Sequence, residues 1–168
     1  MNITIESFCQ KVKIKNVADI IDIVDNYYIS KPLAIVYDDV LYTLNKLKKA
    51  GLLLIALSNK SYKNPFCLKS YGLDQWFCKE IYSYDVGCRK PDINIFRYAE
   101  KLIQIESSQI LHVGDSLISD YTGAQKASWN SVLLCRNHNV TSSVYGCDLK
   151  IKVINSLEYL PEYIDNMC

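Results

Sequence analysis

No two of the seven cysteines (Cys9, Cys67, Cys78, Cys88, Cys135, Cys147 and Cys168) are spaced as CxxC. A structural zinc site wants paired thiolates at short spacing, so that class is set aside. The odd count favours buried free thiols in a reducing compartment. Long apolar runs are missing too. None approaches the ~20 residues needed to cross a bilayer, and the opening MNITIESFCQKVK lacks the apolar stretch of a secretory signal. The expected location is therefore intracellular, cytoplasm before nucleus. Charge of one sign is also lacking: 19 Lys+Arg against 18 Asp+Glu leave a net +1. That balance gives no reason to invoke nucleic acid or a membrane surface as a partner, and it leaves the oligomeric state open. There is no internal repeat, low-complexity tract or dividing linker.

What is present suits one domain around one core: 168 residues, 49% hydrophobic and 22% charged. The thirteen tyrosines are scattered, which predicts core and subsurface packing. Helical spacing of Val17, Ile20, Ile21, Val24 and Tyr28 follows a capping Asn16 and stops at Lys31-Pro32. Asp38 or Asp39 opens a second helix, with Val40, Leu41, Leu44 and Leu47 on its inward side. Its end is marked by Lys46, Lys48, Lys49 and Gly51. The run Leu52–Leu57 then reads as a strand buried on both faces, as in a parallel sheet. Further along, the pattern predicts a helix near 61–70, a short strand over 76–82 and a helix over 92–103 with Ile95, Phe96, Ala99, Leu102 and Ile103 inward. A buried strand at 110–113, a helix at 119–128, strands at 131–135 and 151–154 and a helix at 156–163 complete it, with 136–150 irregular. Strands alternating with helices predict an α/β fold with a mostly parallel sheet.

In such sheets, function gathers at the carboxyl ends of the strands. Three of these ends carry suggestive polar residues. Ser58-Asn59 follows LLLIAL; a hydroxyl there can donate to an anionic oxygen, or simply cap the next helix. Arg89-Lys90-Pro91-Asp92 precedes a helix whose positive end makes Lys90 a candidate anion clamp, with Asp92 as the cap. Gly114-Asp115-Ser116-Leu117-Ile118-Ser119-Asp120 follows ILHV. It sets two carboxylates five residues apart, hard oxygen donors suited to Mg²⁺, while Gly114 lets the backbone turn close to a ligand and Gly123-Ala124 allow close helix–sheet packing.

The ordered set, strand–Ser, then Lys-Pro, then strand–Gly-Asp-x4-Asp, resembles the second, third and fourth motifs of the haloacid dehalogenase (HAD) superfamily. LKKAGLLLIALSN, CRKPDINIF and ILHVGDSLISDYTGAQKASWNSVLL carry the likeness, over about Tyr37 to Arg136. The His-Val-Gly-Asp version with Asp-Tyr-x-Gly is similar to the subgroup called haloacid dehalogenase-like hydrolase domain-containing protein 3. The resemblance implies a HAD-like Rossmannoid three-layer fold and a Mg²⁺-dependent phosphoryl-transfer site for a small phosphorylated metabolite. Ser58, with Asn59 beside it, would bind the transferring phosphoryl group. Lys90 would neutralise its charge, Asp115 would bind Mg²⁺, and Asp120 would help hold the metal or orient Lys90.

The family's first motif is not matched. It supplies an aspartate nucleophile on the central strand, with a second Asp two residues later as general acid/base. IVYDDVLYTL looks like it, but Asp39 lies only 19 residues before Ser58. That interval already holds a helix, a turn and a strand, leaving no crossover. Two after Asp38 and Asp39 stand Val40 and Leu41, which cannot act as acid or base. Asp19, Asp22 and Asp25 line the polar face of the first helix. Residues 1–34 are accordingly expected to be the remnant of a helical cap and 35–168 the HAD-like core. The nucleophile strand and most of the cap would be missing, and the chain weakly active or inactive. The alternative is a non-catalytic binding protein that keeps part of the phosphate and Mg²⁺ site. In the family the nucleophile strand separates the second-motif and fourth-motif strands. Without it those two either close up or are bridged by a stretch such as Ile3-Thr4-Ile5, or the fold is marginal.

Overall fold

The computed structural model describes residues 35–60, 67–136 and 151–167. The helix expected at 16–30, the cap remnant 1–34, Ile3-Thr4-Ile5 and most of 61–70 and 136–150 lie outside these residues. Helix α1 (Asp38–Lys49) leads to strand β1 (Ile55–Ser58), then β2 (Lys79–Tyr82) and the single turn α2 (Ser83–Val86). Helix α3 (Ile93–Ile103) precedes β3 (Leu111–Gly114). A wide turn over Leu117–Thr122 runs into α4 (Gly123–Lys126), followed by β4 (Asn130–Leu134), β5 (Val153–Ile154) and α5 (Leu160–Asp165). Every ladder among the described residues is parallel: β1 with β2, and β3 with β4 with β5. Strands β1 and β3 do not pair with each other. No described helix is long and apolar enough to cross a membrane.

Local chemistry explains the ends. Helix α1 stops at Gly51, whose φ of 78° suits a residue without Cβ; the Gly51 amide donates to Lys48 O and the Leu52 amide to Leu47 O, closing a Schellman turn. Asp92 caps α3, its Oδ1 accepting from the Asn94 amide at 2.9 Å. The main core forms where α3 lays Ile95, Phe96 and Ala99 against Ile81, Ala124 and Trp129. A second cluster joins Leu47 of α1 to Val132, Ile154 and Leu160.

Several expectations are corrected. The β1 strand is half-buried along its length, not buried on both faces, and Leu52 and Leu53 are exposed ahead of it. Its only partner strand among the described residues is β2, and a one-sided edge strand has less to bury. Leu41 and Leu102 also face out. On α1 the inward stripe is Asp39, Thr43, Leu44 and Leu47. Residues 68–71 and 74–76 are short 3₁₀ turns. Of the tyrosines, Tyr121 is buried, but Tyr37, Tyr42, Tyr84, Tyr98 and Tyr159 are exposed. Some of these rings serve as platforms for cations, Arg136 lying 3.9 Å over Tyr37 and Lys46 4.9 Å over Tyr42. None of the four described cysteines is fully buried, and Cys78 is exposed; Cys67, Cys78 and Cys88 are free thiols.

Asp39 is more than a favourable charge at a helix start. Its carboxylate is buried and accepts from both Arg136 Nη atoms (2.8 and 3.0 Å), Ser156 Oγ (2.9 Å) and the Leu157 amide (2.8 Å). Burial alone would raise its pKa, but these hydrogen bonds and the Arg136 charge outweigh it and hold the carboxyl below its ordinary value. A depressed folded-state pKa gives stability that is complete above the unfolded carboxyl value of about 4 and lost as pH falls through the folded value. Asp39→Asn should therefore cost about 1–3 kcal/mol at pH 7 and less at pH 3, below the unfolded carboxyl value of about 4. Urea midpoints at the two pH values check this; an equal loss at both would mean the charge is not what matters.

Candidate functional site

Strand β1 ends at Ser58 and strand β3 at Gly114, and the chain between α2 and α3 brings Lys90 to the Leu57 carbonyl of β1 and to Asp120. The Lys90 side chain is buried. Its Nζ donates to Asp120 Oδ1 at 2.5 Å and to the Leu57 carbonyl, one residue before Ser58, at 2.7 Å. An ammonium has three N–H groups, so among the described residues one remains for a further acceptor. The Lys90 backbone is bracketed by Asn59, whose Oδ1 accepts from Lys90 N at 2.8 Å while its Nδ2 donates to Lys90 O at 2.8 Å. The structure thus shows Asn59 fastening Lys90, with one amide N–H unused among the described residues. A second bracket lies next to it: Ser83 Oγ accepts from the Lys60 amide and donates to the Lys60 carbonyl, each at 3.0 Å.

Asp120 enters from the wide turn after β3. Oδ1 takes Lys90 and His112 Nε2 (3.1 Å); Oδ2 takes the Ser116 amide (2.9 Å). The carboxylate rests directly on Gly114, where a Cβ would lie 2.3 Å from Asp120 Cγ. Burial would push the Asp120 pKa up. The hydrogen bonds from His112 and Lys90, the Lys90 charge and the Ser116 amide outweigh that and hold it well below the carboxylate range. Gly123 packs closely, but against Phe96 of α3 and Pro91 rather than against a strand. Asp115 stands exposed at the tip of β3, and Ser58 is half-buried at the tip of β1. Neither makes a side-chain hydrogen bond to another described residue.

The structure therefore joins Lys90, Asp120 and Asn59 directly and sets Ser58 and Asp115 on the adjoining strand ends. Sequence reasoning missed His112, although a histidine inside the apolar strand ILHV is a signal in itself. It missed the Ser116 amide too, because a backbone donor leaves no trace in residue type. Asp38 and Asp39 stand apart: Asp38 is exposed in the first turn of α1, and Asp39 is saturated by Arg136, Ser156 and Leu157.

Residues 6–128 match the family described as haloacid dehalogenase-like hydrolase. The chain belongs to that family. It is 34% identical over 123 residues to mouse haloacid dehalogenase-like hydrolase domain-containing protein 3, covering 73% of this chain and 49% of the mouse protein. It is 31% identical over 101 residues to glyceraldehyde 3-phosphate phosphatase of Methanopyrus kandleri, covering 60% of this chain and 43% of that protein. The chain thus spans about half the length of these curated relatives, or less. The crystal structure of a HAD phosphatase from Thermococcus onnurineus superposes with a TM-score of 0.71 at 24% identity, over 95% of this chain and 70% of that one. The HAD-like α/β fold is thereby established.

Family members generally use Mg²⁺, and the donor set can be tested against it. Among the described residues no three His, Cys, Asp or Glu side chains converge as a ready-made metal cage. Mg²⁺ does not need one; it keeps several waters and is commonly held by one or two carboxylates plus substrate phosphate. Asp115, uncommitted at the β3 tip, and the remaining lone pair on Asp120 Oδ2 fit that requirement.

Proposed function

We propose that the chain carries the phosphoryl-binding part of a HAD-type, Mg²⁺-dependent phosphohydrolase acting on a small phosphorylated metabolite. The observation that carries this reading is the buried Lys90 ammonium. It is fixed by Asp120 and the Leu57 carbonyl at the carboxyl end of a parallel strand, with one N–H still to give. The free N–H would go to a phosphoryl oxygen, and the Ser58 hydroxyl would donate to another. Asn59 and Asp120 hold Lys90 in place, so the charge is organised before an anion arrives. Asp115, with Asp120, would hold the Mg²⁺, which supplies further neutralisation of phosphoryl charge when bound.

Two observations favour low turnover by this chain alone. Asp39 is committed to Arg136, and among the described residues the carboxylate that meets Lys90 is the one that anchors it. The non-catalytic reading, anion binding without hydrolysis, therefore stays beside the first. An assay of this chain with p-nitrophenyl phosphate and Mg²⁺ is expected to stay close to the buffer rate, while phosphate plus Mg²⁺ raises the melting temperature. Robust hydrolysis abolished by Asp115→Ala would refute the inactivity. A melting temperature indifferent to phosphate and Mg²⁺ would remove the binding site itself.

A further inference from the structure

His112 has no part in the scheme above, yet it is buried at the heart of the site, with 9% of its surface exposed. Its ring meets the edge of Phe96 at a centroid distance of 5.7 Å and an interplanar angle of 84°. On another side lies Trp129, 6.2 Å away and tilted by 60°. Those two aromatics also pack edge-to-face on each other, and the Trp129 indole is itself anchored by its N–H to Glu100 Oε1 at 2.6 Å. The imidazole therefore has little freedom to rotate. Its Nε2 faces Asp120 Oδ1, the same oxygen that receives the Lys90 ammonium. Ionised carboxylate oxygens only accept, so Nε2 carries the hydrogen and donates.

We infer that His112 is a positioning residue for the anion site: clamped by Phe96 and Trp129, it fixes the Asp120 oxygen that holds Lys90, and through it the direction of the free Lys90 N–H. This deepens the phosphoryl-binding reading and rests on it. The physical reason is geometric. With the Ser116 amide on Oδ2 as its only fixed donor, the carboxylate could still tilt and carry the ammonium on Oδ1 with it. Donors on both oxygens, from His112 and Ser116, stop that tilt. Partners of this kind behind the groups that bind a ligand are commonly worth 10–100-fold in affinity at metal sites. The bland reading is a core histidine whose hydrogen bond merely satisfies a buried N–H. It predicts a loss of stability and no specific effect on Lys90.

Two full-length variants separate these readings. His112→Phe keeps the aromatic ring and removes the donor; His112→Gln keeps an N–H within reach of Asp120. Inorganic phosphate binding in the presence of Mg²⁺, read by calorimetry, should weaken about 10-fold or more in the phenylalanine variant and recover largely in the glutamine variant. The Lys90 ammonium ¹⁵N–¹H signal, read without phosphate, should be sharp in the wild type, lost in His112→Phe and regained in His112→Gln. Equal phosphate affinity in wild type and His112→Phe, or equal weakening in both variants, overturns the inference. If the wild type binds no phosphate, the functional reading fails and the Lys90 signal alone judges His112. If His112→Phe does not fold, His112→Leu takes its place with the same two readouts: a lost Lys90 signal and weakened phosphate binding support the role, and a sharp signal with unchanged phosphate affinity overturns it.

Discussion

Lys90→Met is expected to destabilise the protein by about 3–5 kcal/mol, the range seen when one member of a buried ion pair is removed. Methionine matches the length of the lysine stem but brings no charge or N–H group. Asp120 would keep His112 and the Ser116 amide and lose its cation in a site where both side chains are at least nine-tenths buried. The Leu57 carbonyl would lose its donor as well. Urea denaturation reads the loss directly. The double variant Lys90→Met/Asp120→Leu should recover much of it, because a buried pair exchanged for apolar groups is often close to neutral. Neither variant should be stabilised by phosphate. A single variant within about 1 kcal/mol of wild type would show that the pair is not buried in the sense argued here.

Gly114→Ala should be the second most damaging change. The new methyl would lie 2.3 Å from Asp120 Cγ and 2.5 Å from Cβ and Oδ2. Strand β3 cannot retreat easily, since Gly114 is in register with Leu133 on β4. Asp120 must leave instead, which strands Lys90 at a cost of about 3 kcal/mol or more. Gly123→Ala is the internal comparison. Its methyl would meet Phe96 Cζ at 2.9 Å and Pro91 Cα at 3.1 Å. Because it disturbs packing and no ion pair, it should cost about 1–3 kcal/mol. Urea midpoints and phosphate-dependent melting of the two variants check this. If Gly114→Ala keeps the phosphate response while Gly123→Ala loses it, the placement of Asp120 on Gly114 is not what maintains the site.

How much of this was readable from residue order follows from where the information is local. The α3 helix, its Asp92 cap and the inward Ile95, Phe96 and Ala99 follow from a 3.6-residue period and one capping side chain, and the structure agrees. The Gly-Asp-x4-Asp spacing was visible in the same way, because one turn brings both carboxylates to the end of one strand. The burial of β1 was misjudged, since six apolar residues in a row say nothing about how many neighbours the strand will have. Asp39 was read from its position at a helix start. Its bonding to Arg136, Ser156 and Leu157 depends on three segments meeting, which no local pattern encodes. The bracket between Asn59 and the Lys90 backbone was hidden for the same reason: 31 residues separate the partners. Asp120 is the intermediate case. Its role as Lys90's anchor was one of two expected from the resemblance, and only the geometry shows the carboxylate with three donors already in place.

The Asp39 fastening also has a kinetic meaning. Its partners lie 97, 117 and 118 residues away along the chain. Closing loops of that length costs entropy before any bond repays it. The α3–β3–α4–β4 region, whose contacts are nearer in sequence, can assemble first. The clasp between the start of α1 and the segment after β5 would then form late on the folding path. A contact made after the transition state restrains unfolding more than it speeds folding. On that order of events Asp39 would set how long the closed chain lasts, and the core around Phe96 would set how quickly it is reached.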